Sequence, residues 1–226
     1  MRRPLSLAVL PLFLVGFAGC STMTTTHAPG DPAAWDARRA ALTPQSVWQL
    51  EGRVAIAAGD EGWSGTLAWV QSGAALDFRF KGPLGVGGLH IHGDAAALTV
   101  TTSKGETFTV VDPERDLDER LGWSVPFGSM RYWMVGIPDP ASAFEADYDT
   151  AGRPREIRQQ GWTVRYDEYR RDSPQAVDSV DLPRRLTIER DDVRIKVVAE
   201  RWTFTASPLR GTRRGAGPPT GGTVPR

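Results

Sequence analysis

"WSGTLAWVQSGAALDFRFKGPLGVGGLHIHG", residues 63–93, decides the fold. Within it "WSGTLAW" sets Trp63, Gly65, Leu67 and Trp69 on one side of an extended chain. "LDFRF" sets Leu76, Phe78 and Phe80 on one side, with Asp77 and Arg79 opposite. A period of two with one apolar face is the mark of a half-buried antiparallel strand. Between two such strands lies "GPLG", residues 82–85, a turn with a leucine at its apex. Turn tips face water and usually carry polar residues. On the residues alone Leu84 is expected to fold back onto the core, because an exposed apolar tip is uncommon.

Working outward, the same alternation predicts strands over 47–58, 63–71, 74–81, 86–93, 95–102 and 106–111, separated by short Gly-, Asp-, Ser- or Lys-containing turns. It resumes over 143–149, 154–160, 162–169, 184–191 and 193–204. Asp31-Pro32 opens a helix as N-cap and first-turn proline, with Trp35, Arg38/Arg39 and Leu42 at helical spacing before Thr43-Pro44 ends it. Residues 113–121 and 129–135 read as two further short helices, the second carrying Met130, Trp133 and Met134 on one side. About eleven strands exceed what a flat sheet carries comfortably. The predicted fold is mainly β, a half-open antiparallel barrel with short α-helices covering its interior. In the last strand Val193, Ile195, Val197 and Ala199 share a face that Trp202 misses by one residue. A bulge near Glu200 would restore it.

The N-terminus has the layout of a secretory leader. Two arginines precede an apolar run over 5–17, too short to span a bilayer, and Ala18-Gly19 lead to Cys20, the only cysteine of the 226-residue chain. One cysteine allows no intramolecular disulfide. Removing a leader over 1–19 leaves 25 basic and 27 acidic residues, a balance that does not point to nucleic acid. A polar, Thr-rich tether over 20–30 precedes a domain over 31–206. The Gly/Pro/Arg-rich tail over 207–226 is expected to be disordered.

Catalytic patterns are weak. His90 and His92 share a strand face but lack a third ligand at recognisable spacing, so they read as solvated. The acids from Asp112 to Glu119 crowd one short helix near its N-terminus, where the dipole favours them. Nucleotide-binding and hydrolase motifs do not occur, and the chain is not read as an enzyme. What stands out is eight tryptophans, many on predicted inner faces. They suit a solid aromatic core and an apolar ligand cavity equally well. Met130 and Met134 would suit a pliable cover over such a cavity.

Several stretches, in order, resemble one family: "GRVAI" (52–56), "AWVQS" (68–72), "GPLG" (82–85), "RYWMVGIP" (131–138), "GRPREIRQQGWTVRYDEY" (152–169), "LPRRL" (182–186) and "RIKVVAERW" (194–202). The chain resembles the outer-membrane lipoprotein receptors of the LolB family over about residues 33–204. "GFAGC" before and at Cys20 resembles a bacterial lipobox, with Phe17 where leucine is usual. Ser21 in place of aspartate implies the outer membrane. The tail after Ala206 is not a feature associated with the family.

The resemblance implies a monomeric, lipid-anchored protein on the periplasmic face of the outer membrane, with an N-acyl diglyceride on Cys20 and no cofactor or metal. It implies that lipoprotein cargo arrives from a LolA-type periplasmic carrier, that its acyl chains enter a hydrophobic cavity, and that it passes to the inner leaflet of the outer membrane. It also implies that Leu84, flanked by Gly82, Pro83 and Gly85, projects from its loop for membrane delivery, which reverses the expectation from the residues alone. Trp69, Trp133, Trp162, Tyr166 and Trp202 match aromatic positions of the family's motifs and, with Met130 and Met134, are the candidate acyl contacts. The competing expectations are a structural outer-membrane lipoprotein with a packed Trp-rich core and, further off, a cell-envelope hydrolase.

Overall fold

The computed structural model describes residues 28–85, 87–94, 96–112, 115–116, 119, 126–170 and 180–204. The expected leader, Cys20, most of the tether, Trp123 and the tail lie outside these residues, as does most of the expected 113–121 helix.

Helix α1 (Pro32–Leu42) starts where Asp31 accepts the Ala33 N–H at 2.9 Å and proline occupies the first turn. Six strands follow: β1 (Val47–Ala58), β2 (Glu61–Ser72), β3 (Ala75–Lys81), β4 (Gly88–Gly93), β5 (Leu98–Thr102) and β6 (Thr107–Val110). Helix α2 (Phe127–Val135) then precedes β7 (Phe144–Tyr148), β8 (Pro154–Gln159), β9 (Trp162–Arg170), β10 (Leu182–Arg190) and β11 (Val193–Phe204). All eleven strands join one sheet in the order β6-β5-β4-β3-β2-β1-β11-β10-β9-β8-β7. Each pairing is antiparallel, and the edges β6 and β7 do not pair with each other. The mainly β, unclosed architecture is therefore as expected.

Shifts at element ends have local causes. β5 begins at Leu98 rather than at 95, because the Asp94 side chain takes the Ala96 and Ala97 N–H groups into a turn. β10 begins two residues early and accommodates Pro183 where its register with β9 shifts, a place where a strand can lose a donor. Trp63 keeps the parity of Leu67 and Trp69 but is 37% exposed. β3 reaches only to the Lys81–Thr66 pair, so β2 extends past it at Trp63 and the inner face is uncovered there.

The bulge expected in β11 is present. Glu51 pairs with Arg201 and Gly52 with Ala199, leaving Glu200 as the extra residue. Its effect is to return Trp202 to the inner face, where it is buried beside Val197 and Ala199. Gly52 opposes the bulge closely, since a Cβ there would meet the Val198 carbonyl oxygen at 2.2 Å. Rings then run across the inner face from Trp202 (β11) to Trp48 (β1), Trp69 (β2), Phe78 (β3) and Phe127 (α2), with successive centroids 5.3–5.8 Å apart. Such tilted and edge-on contacts suit the aromatic quadrupole.

A Gly52→Val substitution should push β11 away from β1 and lower stability by roughly 3 kcal/mol in urea unfolding. A loss under about 0.5 kcal/mol would mean that the bulge yields without cost.

Candidate functional site

Two places answer to the residues singled out from the sequence: the interior under α2 and the turn carrying Leu84. In the interior, Trp69, Trp133, Trp162, Tyr166, Trp202, Met130 and Met134 are all buried.

Most of the aromatic members are fixed by hydrogen bonds. Trp69 Nε1 donates to Gln71 Oε1 at 3.0 Å and Trp202 Nε1 to the Pro183 carbonyl at 3.0 Å. Trp133 Nε1 donates to Gln159 Oε1 at 2.8 Å, and the Tyr166 hydroxyl donates to the Trp133 carbonyl at 2.9 Å. Burial raises the Tyr166 pKa, so its hydroxyl keeps the proton it donates. Trp162 differs. Its buried Nε1 has no hydrogen-bond partner among the described residues, while the Arg190 guanidinium lies 4.5 Å from its ring centroid. Met130 and Met134 have only apolar side chains to offer and are pliable.

Two polar residues that sequence reasoning passed over hold α2 in place. Gln159 accepts from Trp133 and from the Asp139 N–H, and its amide donates to Asp139 O, Ser142 O and Ser142 Oγ at 2.7–3.0 Å. Nearby, Ser129 Oγ in the first turn of α2 donates to Asp139 Oδ2 at 2.7 Å. Arg38, 4% exposed on α1, donates to the carbonyls of Val135 (2.9 Å), Gly136 (3.0 Å) and Asp181 (2.8 Å). A cation at a helix C-terminus meets the negative end of the dipole and the unpaired last carbonyls together. Burial lowers the Arg38 pKa, and Tyr169, Tyr166, Asp181 and Asp149 act against that shift. The signals were present. Arg38 sits on the same helical face as Trp35 and Leu42, and Gln159 has the inner-face parity of Ile157. A polar group on an apolar face marks a buried hydrogen-bond node.

The turn is the opposite environment. Leu84 lies in a 3-10 turn over Pro83–Gly85 and is fully exposed, at 102% of its reference area. Its backbone is left-handed, φ 55° and ψ 19°. That region is disfavoured for a residue with a Cβ by roughly 1–2 kcal/mol. The Gly82 N–H donates to the Gly87 carbonyl at 2.7 Å and closes the loop, while Gly85 and Gly87 take φ 76° and 70°. A Cβ at either glycine would have no neighbour within 4 Å, so the tip stands clear of the sheet. The expectation from the residues alone, that Leu84 folds back onto the core, does not hold.

The remaining candidates have plain surroundings. The His90 and His92 rings are tilted at 31° with centroids 4.8 Å apart, and His90 Nε2 lies 3.1 Å from Asp77 Oδ2. No group of three or more metal-ligating side chains occurs among the described residues.

The description "Outer membrane lipoprotein LolB" matches residues 46–202, from the approach to β1 to Trp202 on β11. The chain belongs to the LolB family. It is 32% identical to the LolB of Nitrosococcus oceani over 198 residues, 87% of this chain and 96% of that one. It is 31% identical to the LolB of Stutzerimonas stutzeri, covering 85% and 91% of the two chains. For the LolB of Pseudomonas aeruginosa the figures are 30%, 89% and 97%. A crystal structure of a LolA superfamily protein from Nitrosomonas europaea is similar with a TM-score of 0.46 and 10% identity, over 80% of this chain and 96% of that one. The match to LolB takes in all eleven strands as far as Trp202, and membership makes this an outer-membrane lipoprotein rather than an enzyme.

Two stability measurements separate the roles of these places. Arg38→Met should destabilise the protein by about 3 kcal/mol in urea unfolding, since three carbonyls lose their donor. Arg38→Lys should recover only part of this, because one ammonium cannot reproduce the planar fork. Leu84→Gly should stabilise the protein by about 0.5–1 kcal/mol, as relief of left-handed strain exceeds the added unfolded-state entropy. A loss of stability there would mean that Leu84 packs in solution.

Proposed function

We propose that this chain is the outer-membrane receptor of a lipoprotein delivery route. It accepts lipoproteins from a LolA-type periplasmic carrier, encloses their acyl chains between the sheet and α2, and releases them into the inner leaflet of the outer membrane. The LolB relatives support this reading, and the observation that carries it is the state of Leu84. A leucine with its whole side chain in water, on a strained backbone, contributes nothing to folding. Its retention there makes sense as a contact with something apolar outside the protein.

The energetics fit a carrier with a modest grip. Each acyl methylene kept from water is worth ~0.8 kcal/mol, so a lipoprotein's chains cannot cross the periplasm unshielded. The receptor must hold them more tightly than the donor and less tightly than the bilayer. Trp69, Trp133, Trp162, Tyr166 and Trp202 would form the wall, most of them pinned by hydrogen bonds, and Met130 and Met134 would be the side chains that give way. Burying Leu84 in a membrane is worth only ~1.5–3 kcal/mol, enough to dip the turn among headgroups but not to anchor a protein. The lipid on Cys20 would do the anchoring. The protein would act as a monomer, with no nucleotide consumed.

The burial of these side chains favours one other reading, a structural lipoprotein whose Trp-rich core takes no ligand. One transfer assay separates the two. A chain from residue 21 onward keeps all eleven strands and both helices, which lie within 32–204. It is mixed with a LolA-type carrier loaded with labelled lipoprotein, and outer-membrane vesicles are then added. Parent and Leu84→Glu should both accept cargo, and only the parent should pass it on. A parent that takes no cargo would establish the packed-core reading. Equal delivery by both would remove Leu84 from the mechanism.

A further inference from the structure

We propose that a small pocket between α2 and the α1–β1 connection binds a phosphate group through Arg131 and Tyr132. The proposal stands on the pocket's own residues and does not need the receptor reading.

The pocket encloses about 100 Å³. Gln45 and Ser46 line it from the α1–β1 connection, Gln71 and Gly73 from the end of β2 and the turn after it, and Arg131 and Tyr132 from α2. It is separate from the tryptophan interior, since none of the candidate acyl contacts lines it. Its walls are tied to one another. The Gly73 N–H donates to the Ser46 carbonyl at 2.8 Å, and Arg131 Nη1 donates to the Gly73 carbonyl at 2.8 Å.

Donors with nothing to bond gather here. Arg131 is half-buried and is the one charged residue lining the pocket. Its Nη2 donates to the Tyr132 hydroxyl at 3.0 Å, its guanidinium lies 4.7 Å from the Tyr132 ring centroid, and its Nε is buried with no hydrogen-bond partner among the described residues. Arg38, by contrast, has a carbonyl at each of its three nitrogens. The outer-face arginines meet carboxylates, as Arg53 meets Glu200 and Arg201 meets Glu51, both at 2.7 Å. Arg131 forms no ion pair among the described residues. The Tyr132 hydroxyl, having accepted from Arg131, still has its own proton to give. The side chains of Gln45 and Ser46 add an amide and a hydroxyl that make no hydrogen bond among the described residues.

A half-buried guanidinium without a counter-charge, ringed by neutral donors, calls for an anion rich in acceptor oxygens. Phosphate carries several such oxygens on one centre and pairs with arginine through charge-assisted hydrogen bonds. The volume agrees. It is roughly the liquid share of three waters, and far below the ~300–1,000 Å³ of sites that enclose a drug-sized ligand. A headgroup-sized moiety fits and an acyl chain does not. Leu42, Trp48 and Val135 supply an apolar side, so the phosphate could be free or carried by a phospholipid.

Calorimetric titration tests this on the chain from residue 21 onward. The ligands are sodium phosphate, sodium acetate, and dihexanoylphosphatidylglycerol and dihexanoylglycerol below their micellar concentrations. At least one phosphate-bearing ligand should bind, and more tightly than its phosphate-free counterpart. Arg131→Gln should weaken that binding about thirty-fold and Tyr132→Phe about ten-fold, while Arg53→Gln on the outer face should leave it unchanged. Arg131→Gln also loses the bond to Gly73, so Tyr132→Phe, which keeps it, carries the test if the first variant fails to fold. Tighter binding of the phospholipid than of inorganic phosphate supports the proposal with a lipid as the source, and the reverse order supports it with free phosphate. The proposal is overturned if neither phosphate ligand binds, which leaves a pocket of water, or if acetate and dihexanoylglycerol match their phosphate counterparts. Unchanged affinity in Tyr132→Phe and Arg131→Gln would overturn it too. No cargo or carrier takes part, so none of these results bears on the receptor reading.

Discussion

The architecture depends on one pairing, that of the first strand with the last. β1 and β11, each twelve residues long, lie side by side at the centre of the sheet. On one side β2 to β6 follow as a chain-order meander, and on the other β10 back to β7. Remove the β1–β11 ladder and the protein becomes two separate meanders, each with one greasy face and nothing to cover it. The ladder joins residues about 150 positions apart, so it is among the costlier contacts to form in loop-closure entropy. The Glu200 bulge opposite Gly52 is what allows Trp202, beyond it, to join the same apolar face as Val193–Ala199 before it.

Given that sheet, the helices are held by polar groups in an apolar setting. α2 covers the inner face and is tied at its first turn by Ser129, in its middle by Trp133, Gln159 and Tyr166, and at its end by Arg38 from α1. Each tie is made with its donors and acceptors matched, which is what makes such groups tolerable in a core. The same ties bear on lipid binding. Acyl chains taken up under α2 would displace side chains more readily than they would the pinned helix, and methionines are the side chains that repack at least cost.

The two ends of the proposed mechanism obey opposite physics. The interior gains by burying aromatic surface, whereas the Leu84 turn keeps an apolar group in water and bends its backbone into a region that leucine avoids. Local features that work against stability are held in place only by surrounding structure, here the Gly82–Gly87 closure and the neighbouring β5–β6 hairpin. The membrane contact proposed for Leu84 needs that exposure, because a buried leucine could not reach a bilayer.

The sequence by itself determined the strands, the unclosed sheet and the family. A period-two pattern repeated over short Gly-marked turns leaves little freedom, and in the last strand even the bulge could be read from the one-residue misfit of Trp202. It also located the aromatic interior and the odd leucine. It could not say which way Leu84 points, because exposure depends on whether β2 and the β5–β6 hairpin leave the turn free, and those contacts join residues distant in sequence. For Arg38 and Gln159 it gave the signal of a buried node but not the partners. Each lies on an apolar face of its own element, but the carbonyls that make burial affordable to Arg38 come from α2 and the β10 approach. Tertiary structure alone decided these points, since a polar group's environment is set by what the fold brings to it and not by its neighbours along the chain.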